Sequence, residues 1–306
     1  MKKFKKVLVG FVAVLTALVA TACSSKSSTK DSSTPKSLNV QFVPSNAATK
    51  LEARAKPLEK MLSKRLGIPV HVTMSTDYNT VVEAMKSKKV DVGFLPSDAY
   101  ILAHKQHAAD LLLQAERYGI KQPGGKLTKS LVNYYRAEIL VKKGSKIKSW
   151  KDLKGKSISV QNPTSTSGYI FPVAELKEKG LNVPKSCKLV TVTGHDQAVL
   201  NVLNGDTDAA FVFEDARTIV QKDNPKIMSE VVPIYFTQKI PNDTISVSPS
   251  MSKAFRKKLA DAFIAIGKSK EGKKVIESVY NHEGYVYAKD SDFDIIRKYD
   301  KIVAGK

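Results

Sequence analysis

An α/β fold in two lobes is what this chain predicts, on three observations. From Leu38 onward, short apolar runs of strand length alternate with amphipathic stretches of helical period. The alternation repeats as a second block after about residue 143, and a helical pattern then runs from Ser252 to the end. Strands separated by helices form a mostly parallel sheet covered on both faces. The roughly 270 residues that follow residue 37 are enough for one large domain or two lobes with sizeable cores.

The first block reads in order. LNVQFV is a strand, followed by a helix over about Ala48–Leu66 that Gly67 and Pro69 stop. VHVTM is the next strand, and Asp77 starts a helix through Met85. DVGFL is a third strand, and Ser97 caps a helix to about Gln106. DLLLQAERY and NYYRAEILVKK are two longer strand-like segments. In the second block SWKDLKG is a short helix and SISV a strand, and a polar loop leads to the helix FPVAELKEKG. KLVTV, a helix His195–Leu203, DAAFVF and a helix from Glu214 follow, then the strands VVPIYF and TISVSP. SKAFRKKLADAFIAIG, EGKKVIESVY and SDFDIIRKY are the closing helices, expected to pack back on the first lobe. Lobe crossings are expected near Val141–Lys146 and Thr237–Thr244. That assigns 38–142 and 245–306 to lobe 1 and 143–244 to lobe 2, with a ligand cleft between them.

Residues 1–22 read differently. Lys2, Lys3, Lys5 and Lys6 precede an apolar run from Val7 to Ala22 that is too short for a comfortable membrane span. A charged start, an apolar middle and small residues at the end form an export signal. Val19-Ala20-Thr21-Ala22-Cys23 resembles a lipobox, which makes Cys23 the lipid-bearing first residue of the mature chain. Residues 23–37 are rich in Ser, Thr and Lys with nothing to bury, as in a flexible tether. The expected location is the outer face of the cell membrane, held there by the lipid. With Cys23 acylated, Cys187 stands alone and no intrachain disulfide forms.

The formal charge is +21, and the four signal lysines account for four of it. The remaining cations are scattered in pairs such as Lys88-Lys89 and Lys273-Lys274 rather than gathered with aromatics. That pattern is a solvated basic face, and it argues against a nucleic-acid partner.

Three loops carry chemistry. Asn162-Pro163-Thr164-Ser165-Thr166-Ser167-Gly168 lies between SISV and a helix, and places three hydroxyls beside the free N–H groups of a helix start. Helix N-termini attract anions. One hydroxyl suffices for a cap. His195-Asp196 after Gly194, and Glu214-Asp215 after DAAFVF, follow strand ends in the same lobe and so face one crevice. His195 offers a ring N–H to an anion. Carboxylates at Asp215 and at Asp243, in the segment Ile240-Pro241-Asn242-Asp243, suit a protonated oxyacid or a ligand amine, or else simply cap helices.

Together NPTSTSGYIFP, TGHDQAVLNVLNGDTDAAFV and IPND resemble the phosphate/phosphite/phosphonate ABC-transporter substrate-binding proteins, in order from roughly Leu38 to Gly267. The resemblance implies a two-lobed periplasmic-binding-protein type II fold with a hinge and an interlobe cleft. It implies a ligand set of Tyr78, Ser165, Thr166, Ser167, His195, Asp215 and Asp243. It also implies a phosphorus oxyanion as ligand, ABC permease subunits as partners, a monomer, and no cofactor or metal. Some members carry an aromatic residue where this chain has Leu95. Tyr100, five residues on, either lines that wall of the pocket or packs on its helix.

The competing reading is an exported hydrolase of phosphate or phosphonate esters. It needs a metal cluster or an activated nucleophile. No G-x-S-x-G elbow is present, and His104 and His107, three apart, are not completed by acidic partners into a metal-binding pattern. A Ser165/His195/Asp215 triad is the one arrangement that serves it on paper. A lipoprotein reusing the fold without transport is a third reading.

Overall fold

A computed structural model of the chain describes residues 34–122 and 125–305. The expected export signal, Cys23 and the expected tether up to residue 33 lie outside the described residues. Among those described, no helix is long and apolar enough to cross a membrane.

The first sheet grows from alternating strands and one strongly amphipathic helix. β1 (Leu38–Phe42) buries Leu38, Val40 and Phe42 on one face and leaves Asn39 and Gln41 half-exposed. α1 (Ala48–Leu66) covers that face with Leu51, Ala55, Leu58, Leu62 and Leu66, whose spacing of three and four residues forms a single buried stripe. Gly67 ends it in the left-handed conformation at φ 73°. β2 (Val70–Met74), α2 (Tyr78–Lys86), β3 (Val92–Leu95) and α3 (Ser97–Lys105) follow. Asp77 caps α2, its carboxylate accepting from the N–H groups of Asn79 and Thr80. β1 pairs in parallel with both β2 and β3. β4 (Asp110–Lys121) and β5 (Lys126–Val132) then form an antiparallel hairpin.

The chain crosses to the second lobe at β6 (Tyr134–Tyr135). β7 (Ala137–Lys142), β8 (Ser157–Val160), α4 (Phe171–Glu178), α5 (Val183–Ser186) and β9 (Lys188–Thr191) come next. They are followed by α6 (His195–Asn204), β10 (Ala209–Phe213), α7 (Arg217–Val220), α8 (Ile227–Glu230) and β11 (Val231–Phe236). The second sheet has the order β11-β7-β10-β8-β9. The return passes through β12 (Ile240–Pro241), which pairs antiparallel with β6. β13 (Thr244–Val247) inserts between β3 and β4 of the first sheet. α9 (Lys253–Lys268), α10 (Lys270–Tyr280), β14 (Gly284–Val286) and α11 (Asp294–Ala304) complete the chain.

Five expectations change. The first crossing lies at β6, not at residues 141–146, because Ala137–Lys142 is laddered into the second sheet against β10 and β11; lobe 1 therefore ends before residue 137 rather than at 142. NYYRAEILVKK is two strands, parted at Arg136. β5 and β14 are additional strands. The tail is divided: α9 and α10 pack on α1 of the first lobe, whereas α11 lies against α4 of the second lobe and α3 of the first. Ser97 does not cap α3; its hydroxyl donates to the carbonyl of Pro241 beside the crossing.

Candidate ligand-binding cleft

The hydroxyl loop is shaped by its own sequence. The Asn162 side-chain oxygen accepts from the backbone N–H (3.0 Å) and the hydroxyl (2.8 Å) of Thr164, turning the chain away from β8. Ser165 accepts from the N–H of Gly168 at 3.2 Å and starts the helix. The first turn, Thr166–Ile170, is a π turn, a widening found disproportionately at functional sites. Gly168 is required by close approach, since a Cβ there would lie 1.8 Å from the Gln161 side-chain oxygen.

Each of the three hydroxyls meets a different neighbour. Ser165 hydrogen-bonds the Tyr78 hydroxyl, and Ser167 that of Tyr135. Burial pushes both phenols up, so both remain protonated. Thr166 accepts from the N–H of Asp98 at 2.9 Å, a fully buried bond across the lobes. That bond uses one lone pair of the hydroxyl and leaves its O–H to donate.

Gly194-His195-Asp196 faces the loop after β1. His195 donates its backbone N–H to the Ser45 carbonyl at 2.9 Å, and the Asp196 carboxylate accepts from the N–H of Ala47 at 3.2 Å. The His195 ring is 3% exposed, and burial pushes its pKa down to about 3, so the imidazole is neutral. Its Nδ1 has no hydrogen-bond partner, and Phe213 packs edge-on at 4.7 Å.

These groups line one cavity of about 910 Å³ between the lobes. Tyr78, Ser165, Thr166, Ser167, His195 and Asp243 all border it. Asp243 also lies 3.7 Å from Nε2 of the buried His282. The remaining expected residues are elsewhere. Asp215 is not on the cavity wall: its carboxylate takes the guanidinium of Arg117 at 2.5 Å and the Asn281 amide at 3.3 Å. Leu95 is fully buried in the apolar cluster beneath α2 and α3. Tyr100 packs rather than lining the cleft, with its hydroxyl on Asp290 at 2.5 Å and its ring edge-on to Phe293.

Sequence reasoning missed Arg117, Tyr135 and Phe213, which border the cavity. The signal for Arg117 was present. It continues the alternation Leu113, Ala115, Arg117 on the inward face of β4, where a cation is out of place.

The hydrolase arrangement is not assembled. Asp215 is bonded to Arg117 and Asn281 rather than to His195, whose Nδ1 stays unpartnered, so nothing orients the ring as a base. Among the described residues no group of three or more His, Cys, Asp or Glu is placed to hold a metal ion.

Two α/β lobes joined by a pair of crossing strands, with neutral hydroxyl and imidazole donors converging between them, define a solute-binding protein of the hinged type. The chain belongs to the phosphonate-binding family, described as the periplasmic substrate-binding protein of phosphonate ABC transporters, whose model matches residues 40–293. The phosphate-import protein PhnD of Mycolicibacterium smegmatis is 31% identical over 226 residues, 70% of this chain and 68% of that one. The phosphonates-binding periplasmic protein of Escherichia coli is 25% identical, over 79% of this chain and 70% of its own. Among solved structures, PhnD1 from Prochlorococcus marinus in complex with methylphosphonate superposes with a TM-score of 0.75 at 20% identity, covering 89% of this chain and all of that one. This last likeness is one of fold.

Proposed function

We propose that this chain is the extracytoplasmic receptor of an ABC importer, that it closes on a phosphorus oxyanion in the interlobe cleft, and that it passes the ligand to permease subunits as a monomer. The observation that supports this reading is the meeting of the Ser165–Ser167 loop, neutral His195 and Tyr78 in one buried cavity drawn from both lobes. Hydroxyls, an imidazole N–H and backbone N–H groups bind an oxyanion without a formal counter-charge. In this reading Ser165, Ser167 and His195 contact the oxygens, Tyr78 closes the far side, and Asp243 accepts the proton of a P–OH group. Thr166 offers its O–H alongside those of Ser165 and Ser167. Acylated Cys23 and the tether after it keep the receptor beside its permease at the outer face of the membrane.

A thermal-shift screen tests the reading, with phosphite, phosphate and methylphosphonate as ligands and sulfate as the control. A ligand at 100 times its Kd stabilises the protein by about 2.7 kcal/mol. Stabilisation by a phosphorus oxyanion supports the reading, and no shift with any of them overturns it.

A further inference from the structure

Of the two acids that the sequence offers to a ligand amine, Asp215 is already occupied by the protein's own donors, as is its neighbour Glu214, whereas Asp243 borders the cavity. Asp215 holds Arg117 at 2.5 Å and Asn281 at 3.3 Å. Glu214 accepts from the Gln122 amide at 2.6 Å and from the backbone N–H of Arg136 at 3.1 Å. Arg117 and Gln122 come from β4 and the turn that follows it, in the first lobe, while both acids follow β10 in the second. These carboxylates therefore bind lobe to lobe.

Arg117 itself lies at the cavity. Its side chain is 7% exposed, it borders the space between the lobes, and its Nε has no hydrogen-bond partner. The rings of Tyr135 and Phe213, both on the cavity wall, lie 5.7 and 5.9 Å from the guanidinium carbon. Among the residues that line the cavity, Arg117 is a buried cation held in place by its ion pair. A ligand ammonium beside that ion pair finds Asp215 already held by a cation and, in the proposed function, Asp243 taken by the P–OH group, so no free carboxylate offsets its desolvation.

We infer that Arg117 sets the ligand class of this receptor: its ion pair with Asp215 selects phosphorus oxyanions whose substituent is small, neutral or absent, and rejects those carrying an amine. The inference rests on the proposed function and narrows it. Arg117 acts as a specificity-determining residue by holding Asp215 and so withholding that carboxylate from the ligand.

Calorimetric titration with two isosteric ligands tests this. Propylphosphonate and 2-aminoethylphosphonate have nearly the same size and differ by the ammonium charge. Wild type is expected to bind propylphosphonate at least tenfold more tightly. Arg117→Met, which keeps the length of the chain and frees Asp215, is expected to move that ratio at least tenfold toward the amine. Arg117→Met/Asp215→Asn removes both buried charges and guards against misfolding of the single variant; it is expected to bring the ratio near unity.

Equal or tighter binding of the amine by wild type overturns the inference, as does a ratio unchanged in both variants. If neither isostere binds while methylphosphonate does, exclusion is by size and the charge inference fails. If no phosphorus oxyanion binds at all, the proposed function fails and takes the inference with it.

Discussion

His195 and Ser45 are joined across the cleft by a backbone hydrogen bond of 2.9 Å, from the first turn of α6 to the loop after β1. One residue on, Asp196 takes the N–H of Ala47. The element that brings an imidazole to the cavity is thus also the element that fastens the lobes there. Binding and closure share parts, as a receptor that signals occupancy by its shape requires.

Asp196→Ala removes the side-chain half of this clasp without touching the cavity hydroxyls. A partly buried bond of this kind is worth about 1 kcal/mol. Ligand affinity is expected to fall by a factor of about five, through faster dissociation, with the melting temperature of the free protein little changed. Stopped-flow dissociation measures it, and an unaltered off-rate contradicts a role in closure.

Gly194 is the other half of the contact. Its φ of −122° suits any residue, so its need is for space. A Cβ there would sit 2.3 Å from an Asp196 carboxylate oxygen and 3.2 Å from the Asn46 backbone across the cleft. Gly194→Ala is expected to fold and to bind ligand more weakly by about 1–3 kcal/mol, the usual cost of overpacking. Small-angle scattering with and without ligand reads closure directly; full ligand-induced compaction in the variant would refute this reading of the glycine.

His195 gives a pH signature. Its folded pKa, about 3, lies below the ordinary value of 6.5 because burial disfavours the cation. Between those values the unfolded chain binds the proton and the folded chain does not. Stability contributed by this group is therefore complete above pH 6.5 and is lost as pH falls toward 3, with a slope of up to about 1.4 kcal/mol per pH unit. Denaturation at pH 7.5, 6, 5 and 4.5 should show part of this slope disappearing in His195→Gln. An NMR titration placing the ring pKa near 6.5 in the folded protein contradicts it.

Thr166→Val preserves side-chain shape and deletes the acceptor used by the buried Asp98 N–H. An unsatisfied buried donor costs about 1–3 kcal/mol. The melting temperature of the ligand-free protein is expected to drop by several degrees. Stability equal to wild type shows that the bond across the lobes is not formed in solution.

What was legible in the sequence was local and periodic. β1, α1 and β2 stand where alternation and the Leu51–Leu66 stripe put them, because one-sided burial repeats at a fixed period. β5 was missed because its residues are almost all exposed and leave no apolar alternation. The first crossing was misplaced because Ala137–Val141 continues the apolar run of Tyr134–Tyr135, and only the ladder to β10 and β11 assigns it to the second sheet. Within the site, Ser165, Ser167 and His195 border the cavity, since a loop after a parallel strand must open at that edge, and Asp243 borders it from just after the crossing strand β12. Asp215 was misread because its partner, Arg117, lies 98 residues away in the sequence and no spacing rule connects them. Leu95 was drawn to the cleft by analogy alone and is claimed by packing beneath α2 and α3, while of the two readings of Tyr100 the structure shows packing, against Phe293.

The central claim is that a phosphorus oxyanion is held between the Ser165–Ser167 loop and the His195 imidazole. Calorimetric titration of methylphosphonate into wild type and into His195→Ala tests it most directly. The expected result is saturable one-to-one binding by wild type, weakened in the variant by about 1.5–3 kcal/mol for the loss of a hydrogen bond to a charged group, or roughly 10- to 150-fold. Equal affinity in the two proteins would contradict the placement of the ligand, and absence of binding in wild type would contradict the claim itself.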